Sequence, residues 1–83
     1  MAQASSASEG IVITARADGS VLWNKESIDL EELRRRLETI ARSTPKQPIA
    51  FTSERDVSYE QFAQVMDIGT SLGLTKLGVL GGT

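Results

Sequence analysis

"IVITARADGSVLWN", Ile11 to Asn24, is the stretch whose reading decides the fold. Ile11 to Arg16 is rich in β-branched residues and reads as a strand. Asp18-Gly19 suits a type I′ turn, in which both central residues take positive φ and glycine does so at no steric cost. Val21 to Asn24 reads as the returning strand. An antiparallel hairpin is therefore expected. Asn24-Lys25 makes a second turn, and Ser27-Ile28 is a brief extended segment leading out of it.

Downstream of the hairpin the period changes. In "DLEELRRRLETIAR", Leu30, Leu33, Leu37 and Ile40 fall at helical spacing on one face. Asp29 is placed to cap the first free N–H groups, and Glu32 to reach back in a capping box. Ile28 and Leu33 have the spacing of a hydrophobic staple. Acids come early in this helix and arginines later, which complements its dipole. "STPKQP" ends it, because proline cannot continue a helix.

"IAFTS", Ile49 to Ser53, is the third strand, with Ile49 and Phe51 on one face and Ala50 and Thr52 on the other. Ser58 and Gln61 then make a capping box for a second helix, Tyr59 to Leu72, with Val57 and Phe62 as its staple. Tyr59, Phe62, Val65, Met66 and Leu72 are read as its buried stripe. Gly69 lies near that stripe, where it permits close approach of helix and sheet, and Gly73 fits a left-handed C-terminal cap. Leu74 to Leu80, "LTKLGVL", is the fourth strand.

The order is β-β-α-β-α-β. The two strand-helix-strand crossovers imply parallel pairs, and the opening hairpin an antiparallel one. Right-handed crossovers put both helices on one face if the strand order does not reverse. The expected fold is α+β: a two-layer sandwich with a mixed four-stranded sheet, room for an extra short strand at Ser27-Ile28, and two helices on one face. Its other face is left open to water or to a partner. Residues 11–80 are expected to form the domain, with 1–10 a flexible or appended lead and 81–83 a loose tail.

Composition narrows the function classes. With 83 residues a single small core is expected. The net charge is −2, whereas nucleic-acid binders carry a basic excess or stripe, so no nucleic-acid partner is expected. The chain has no cysteine and no histidine. That rules out a disulfide framework, a Cys/His zinc site and the commonest general base near neutral pH. No apolar run approaches the ~20 residues that span a bilayer, and "MAQASSASEG" lacks the apolar core of a signal peptide. No cofactor is expected.

The remaining constellations each have two readings. Trp23 either packs across the hairpin or under a helix, or serves as an aromatic anchor for a partner. "SERD", Ser53 to Asp56, is a charged loop where α/β sheets host ligands, but the favoured reading is a solvated loop with Asp56 assisting the helix start, and it offers too few oxygens for a metal. Arg34-Arg35-Arg36 reads as a solvated face paired with Glu31, Glu32 and Glu38; contact with anionic lipid or glycan is the second reading. "GLTKLGVLGGT" has no glycine pattern that cradles phosphate. The apolar last strand is read either as an internal strand or as a sheet edge to which a partner adds a strand. On the second reading Leu77, Gly78, Val79 and Leu80 carry the contact, with Trp23 as a further anchor.

"ADGSVLWNKESIDLEELRRRL" and "DVSYEQFAQVMDIGTSLGLTKLGV", taken in order and spacing, resemble the periplasmic domain of the ExbD/TolR biopolymer-transport family. The resemblance covers Ile11 to Leu80. It implies a non-enzymatic part of an inner-membrane motor driven by the proton gradient, in a single-pass protein whose transmembrane aspartate takes part in proton flow. It also implies a homodimer inside an ExbB- or TolQ-like channel, engaging a TonB-like energy transducer by strand addition. A TolR-type member would instead bind peptidoglycan, with the arginines of the first helix against the wall. The implied symmetric pairing surface is assigned to Leu74, Thr75 and Lys76. Ser58 stands where the family often has proline, Ser53-Glu54 where it often has Ala-Asp, and Trp23 where smaller residues are commoner. The transmembrane segment is not among these 83 residues, so the chain is expected to correspond to the periplasmic part.

Overall fold

A computed structural model describes residues 10–80; the expected lead and tail, 1–9 and 81–83, lie outside the described residues. The elements are β1 (Ile11–Ala15), β2 (Val21–Trp23), β3 (Glu26–Ile28), α1 (Leu30–Ser43), β4 (Ile49–Ser53), α2 (Tyr59–Ser71) and β5 (Leu77–Val79). They form one mixed sheet in the order β3-β2-β1-β4-β5. The pairs β1–β2 and β2–β3 are antiparallel, and β1–β4 and β4–β5 are parallel. The expected α+β sandwich forms, with β3 as the extra short strand.

The first hairpin closes differently from the expected type I′ turn. Gly19 has φ 92°, but Asp18 is not in the positive-φ region. Gly19 N–H donates to the Arg16 carbonyl at 3.1 Å, and Arg16 N–H to the Ser20 carbonyl at 3.0 Å. This is a three-residue loop, in which only its last residue needs left-handed backbone. The Asp18 carboxylate accepts from the Ser20 N–H at 2.9 Å and from its hydroxyl at 2.6 Å. These bonds satisfy the aspartate without the strained conformation and hold its carboxyl below the ordinary range. In the second turn Asn24 takes φ 57°, and its side-chain oxygen accepts from the Val12 N–H at 3.0 Å. The amide side chain extends the β1 ladder past the point where β2 turns away.

Period-two alternation puts Ile13, Ala15, Val21, Ile28, Ile49 and Phe51 on one sheet face. All are buried there, with Leu33 and Leu37 of α1 and Val65 and Ile68 of α2. Phe51, Ile13, Leu33, Leu37 and Val21 are the largest fully buried side chains, each contributing about 1.5–3 kcal/mol of transfer free energy. Leu30 and Ile40, expected on the α1 stripe, pack at its margins. The opposite face presents Val12, Thr14, Leu22, Ala50, Thr52 and Gly78, and no described element covers it.

The helix ends show one complete capping box and one partial one. At α2 the Ser58 hydroxyl accepts from Gln61 N–H at 3.1 Å, and the Gln61 side chain accepts from Ser58 N–H at 3.2 Å. At α1 Asp29 accepts from Glu32 N–H at 2.8 Å, but the Glu32 carboxylate binds Arg36 at 2.9 Å instead of reaching back. A cation one turn ahead outcompetes a neutral amide for a carboxylate.

The α2 stripe differs from the expected one. Val65, Ile68 and Gly69 are its buried residues; Phe62, Met66 and Leu72 are half-buried, and Tyr59 is 85 % exposed. Gly69 performs the expected role. A Cβ there would stand 3.0 Å from Phe51 Cζ, so only glycine lets the helix lie this close to β4. Gly73, with φ 83°, lies just beyond the helix end as expected. The last strand is shorter than the predicted 74–80, because Leu74 turns into the core and pairing starts only at Leu77.

Candidate functional site: an open strand edge and its groove

β5 lies at the margin of the sheet, so it is an edge strand and not an internal one. Its register sets Ile49, Ala50 and Phe51 opposite Leu77, Gly78 and Val79. The Lys76 carbonyl accepts from Ile49 N–H at 3.0 Å, and Leu80 N–H donates to the Phe51 carbonyl at 2.9 Å. Backbone groups in a parallel strand alternate sides. Lys76, Gly78 and Leu80 therefore address β4, while Leu77 and Val79 direct their N–H and C=O groups outward. Among the described residues no strand lies beyond them.

An apolar groove runs alongside this edge on the helix face. It encloses about 420 Å³ between α2, through Tyr59, Phe62, Ala63, Met66, Asp67 and Thr70, and Val79 of β5; Asp67 is its one charged lining residue. Val79 is 58 % exposed and Leu80 49 %. No charged side chain occurs from Leu77 to Leu80. A chain segment paired along β5 would turn every second side chain into this groove, over a floor of aromatic, thioether and valine carbon.

The sequence-assigned residues thus separate. Leu77, Gly78, Val79 and Leu80 gather at one edge with the groove. Trp23 is on β2, three strands away, on the helix face opposite Ile13. It is half-buried, with the Arg36 guanidinium 5.4 Å from its ring centroid. Leu74 is buried in the core, Thr75 N–H donates to the Pro45 carbonyl at 3.5 Å, and Lys76 is exposed.

The arginine run is paired otherwise than expected. Arg36 makes a two-pronged contact with Glu26 of β3, at 3.1 and 3.0 Å, besides its bond to Glu32. Arg35 lies 3.6 Å from Glu32. Neither Glu31 nor Glu38 forms an ion pair among the described residues. The Arg36 bonds hold the Glu26 carboxyl below its usual range, and the two glutamates drive the guanidinium pKa upward. In the Ser53–Asp56 loop, Glu54 pairs with Arg16 at 3.4 Å on the surface.

Tyr59, Phe62 and Met66 are the functional candidates that the sequence reading assigned to the core. Their signal was present. The apolar arc of α2 takes in positions 59, 62, 63, 65, 66, 68, 69 and 72, which is wider than one sheet can cover.

Fold and edge together define a class: a small α+β sandwich that leaves one sheet face and one strand margin uncovered. The profile of the biopolymer transport protein ExbD/TolR family matches residues 2–82, and the chain belongs to that family. It is 31 % identical over 68 residues to the biopolymer transport protein exbD1 of Xanthomonas campestris pv. campestris, in two strains, covering 82 % of this chain and 49 % of that protein. It is 26 % identical over 72 residues to the biopolymer transport protein ExbD of Aquifex aeolicus, covering 87 % of this chain and 52 % of that one. The chain thus spans about half the length of the curated relatives it matches. Proteins of this family are transport-associated and membrane-anchored. No helix among the described residues is long and apolar enough to cross a membrane.

Proposed function

We propose that this domain is the periplasmic, non-enzymatic docking module of a proton-motive-force-driven inner-membrane motor of the ExbB–ExbD–TonB type. It grips a TonB-like energy transducer for outer-membrane import by accepting an extended segment along β5. The single observation that carries this reading is the uncharged β5 edge with the Tyr59–Met66–Val79 groove beside it. Strand addition suits a motor. Main-chain hydrogen bonds give a grip that forms and releases reversibly, and the groove selects which side chains the segment carries at alternate positions. Contact with an ExbB-like channel subunit belongs to a transmembrane segment outside these residues. The domain acts as a homodimer, weak in isolation because tethering supplies the effective concentration that the free domain lacks.

NMR titration with peptides from the periplasmic linker of a TonB-like transducer tests this. Shifts are expected at Leu77–Leu80 and at Tyr59 and Met66. Silence at these positions with millimolar peptide overturns the reading, and light scattering reports the dimer separately. The TolR-type alternative, peptidoglycan binding through the arginines of α1, has less support. Arg36 and Arg35 already hold glutamates, which leaves Arg34 as the one member of the run without an ion pair among the described residues. Co-sedimentation with purified sacculi decides it.

A further inference from the structure

The two ends of the sandwich carry opposite charge. β1, β4 and β5 are mutually parallel, and each helix runs back against them. One end therefore collects the starts of these strands and the finishes of both helices. It presents Lys25 in the β2–β3 turn, Arg42 in the last turn of α1, Lys46 in the following loop and Lys76 just before β5. All four are exposed, and none has an ion pair among the described residues. Hydrogen bonds draw the supporting loops together: Thr75 N–H to the Pro45 carbonyl at 3.5 Å, Ile49 N–H to the Lys76 carbonyl at 3.0 Å, and Asn24 N–H to the Val12 carbonyl at 2.8 Å. No acid occurs between residues 39 and 53 or after Asp67, and Glu26 beside Lys25 is held by Arg36. Glu9 lies outside the described residues.

The opposite end gathers Asp18, Asp29, Glu31, Glu54, Asp56 and Glu60 against Arg16 and Arg55. The molecule is therefore polarised along its strands. The C-termini of both helices also point at the cationic end, but each amounts to roughly half a negative charge, against four full positive ones.

We propose that the Lys25–Arg42–Lys46–Lys76 end is a docking surface for an anionic phospholipid membrane, against which the domain stands with its acidic end away. Two features select a lipid surface over a discrete ligand. The four cations are long, exposed side chains, and the recess of about 310 Å³ at this end, beside Asn24, Thr44 and Gln47, holds no buried polar side chain among the described residues, so they suit a diffuse field of headgroups more than one bound anion. The described chain also begins at this end: Ile11 N–H donates to the Pro48 carbonyl at 3.2 Å, so the residues preceding Gly10 join here. This second feature rests on the reading proposed above, with its transmembrane segment taken to precede the domain. The anchor then brings this end to the bilayer, and the charge decides how the domain sits on it.

Sedimentation of the 83-residue chain with vesicles tests the proposal. One set is phosphatidylcholine alone, the other phosphatidylcholine mixed with phosphatidylglycerol. Partitioning is expected into the mixed vesicles only, falling as salt is raised. Each cation near such a surface is worth about five-fold in partitioning, so the combined variant K25Q/R42Q/K46Q/K76Q should lose roughly 600-fold. R34Q/R35Q, which removes two exposed cations from α1, half as many as the combined variant removes from the end, should keep its binding. All six residues are surface residues, and circular dichroism melts confirm that the variants fold. Equal partitioning into both vesicle types overturns the proposal, as does a loss in R34Q/R35Q matching that of the combined variant. So does a combined variant that leaves sacculi but stays on vesicles, since that assigns the cations to the cell wall. Each of these outcomes leaves transducer docking intact, because docking is read at Leu77–Leu80.

Discussion

The two margins of this sheet are built on opposite plans. At the β3 margin, Glu26 is clamped to Arg36, which also holds Glu32 and lies over Trp23. The strand is three residues long and carries a fixed charge pair, two of the devices by which proteins close an edge to strange strands. At the β5 margin the strand is equally short, yet it bears no charge and adjoins an apolar groove. One edge is guarded and the other is left available. Both hang on the same β1–β4 centre and both are three residues long, so what guards one and not the other is the side chains they carry.

Breaking the shared centre should have the largest effect. Phe51→Ala removes the largest fully buried side chain, beneath Gly69 and opposite Val79, and should cost about 3–5 kcal/mol. Urea unfolding should show both margins lost together; if β3 amides stay protected while β5 melts, the sheet is not one cooperative unit. Gly69→Ala is next. Its methyl would stand 3.0 Å from the fully buried Phe51 ring, so overpacking should exceed the gain in helix propensity, for a net loss of about 1 kcal/mol. Because Leu77 Cδ1 would lie 3.5 Å from the added atom, NMR shifts should spread to β5 and not to β3. An increase in melting temperature would show that the ring yields.

Arg36→Ala should unfasten the guarded margin alone, read as faster amide exchange at Glu26–Ile28 with β5 unchanged. Acid should act at the same place. The Glu26 carboxyl titrates lower folded than unfolded, so its carboxylate stabilises the fold. That contribution is complete above the ordinary glutamate range and fades as pH falls through and below it. Glu26→Gln should abolish this pH dependence of β3 exchange; persistence of the dependence would assign it elsewhere. Val79→Lys should do least to stability, within about 0.5 kcal/mol, because Val79 is mostly exposed. It transplants the guard to the open margin, so binding of transducer peptide should vanish although the fold is intact. Undiminished binding would remove β5 from the docking site.

Much of this architecture was legible from local pattern. Alternation at Ile49–Phe51, the Ser58–Gln61 capping box and the glycines at 69 and 73 specify their elements through nearest neighbours along the chain, and these readings agree with the structure. Readings that required knowing what competes for a group fared differently. Glu32 could reach its own cap or an arginine, and the arginine prevailed. Asp18 could take positive φ or bond Ser20, and bonding prevailed.

The candidate site shows the same division. Sequence marked an uncharged strand from Leu77 to Leu80 and an apolar arc on α2 broader than a core stripe. It could not say that β5 would stand at the margin, that Tyr59 and Met66 would line a groove with Val79, or that Trp23 would lie across the sheet. By itself, then, the sequence determined which segments are strand or helix and which faces are apolar, because backbone sterics, capping and side-chain period act within a few residues. Tertiary structure alone decided which edge stays open, which carboxylate each arginine holds and how Lys25, Arg42, Lys46 and Lys76 come to share one end. Those depend on strand order and on which groups compete once the elements pack, and the shared end joins segments as far apart in the chain as Lys25 and Lys76.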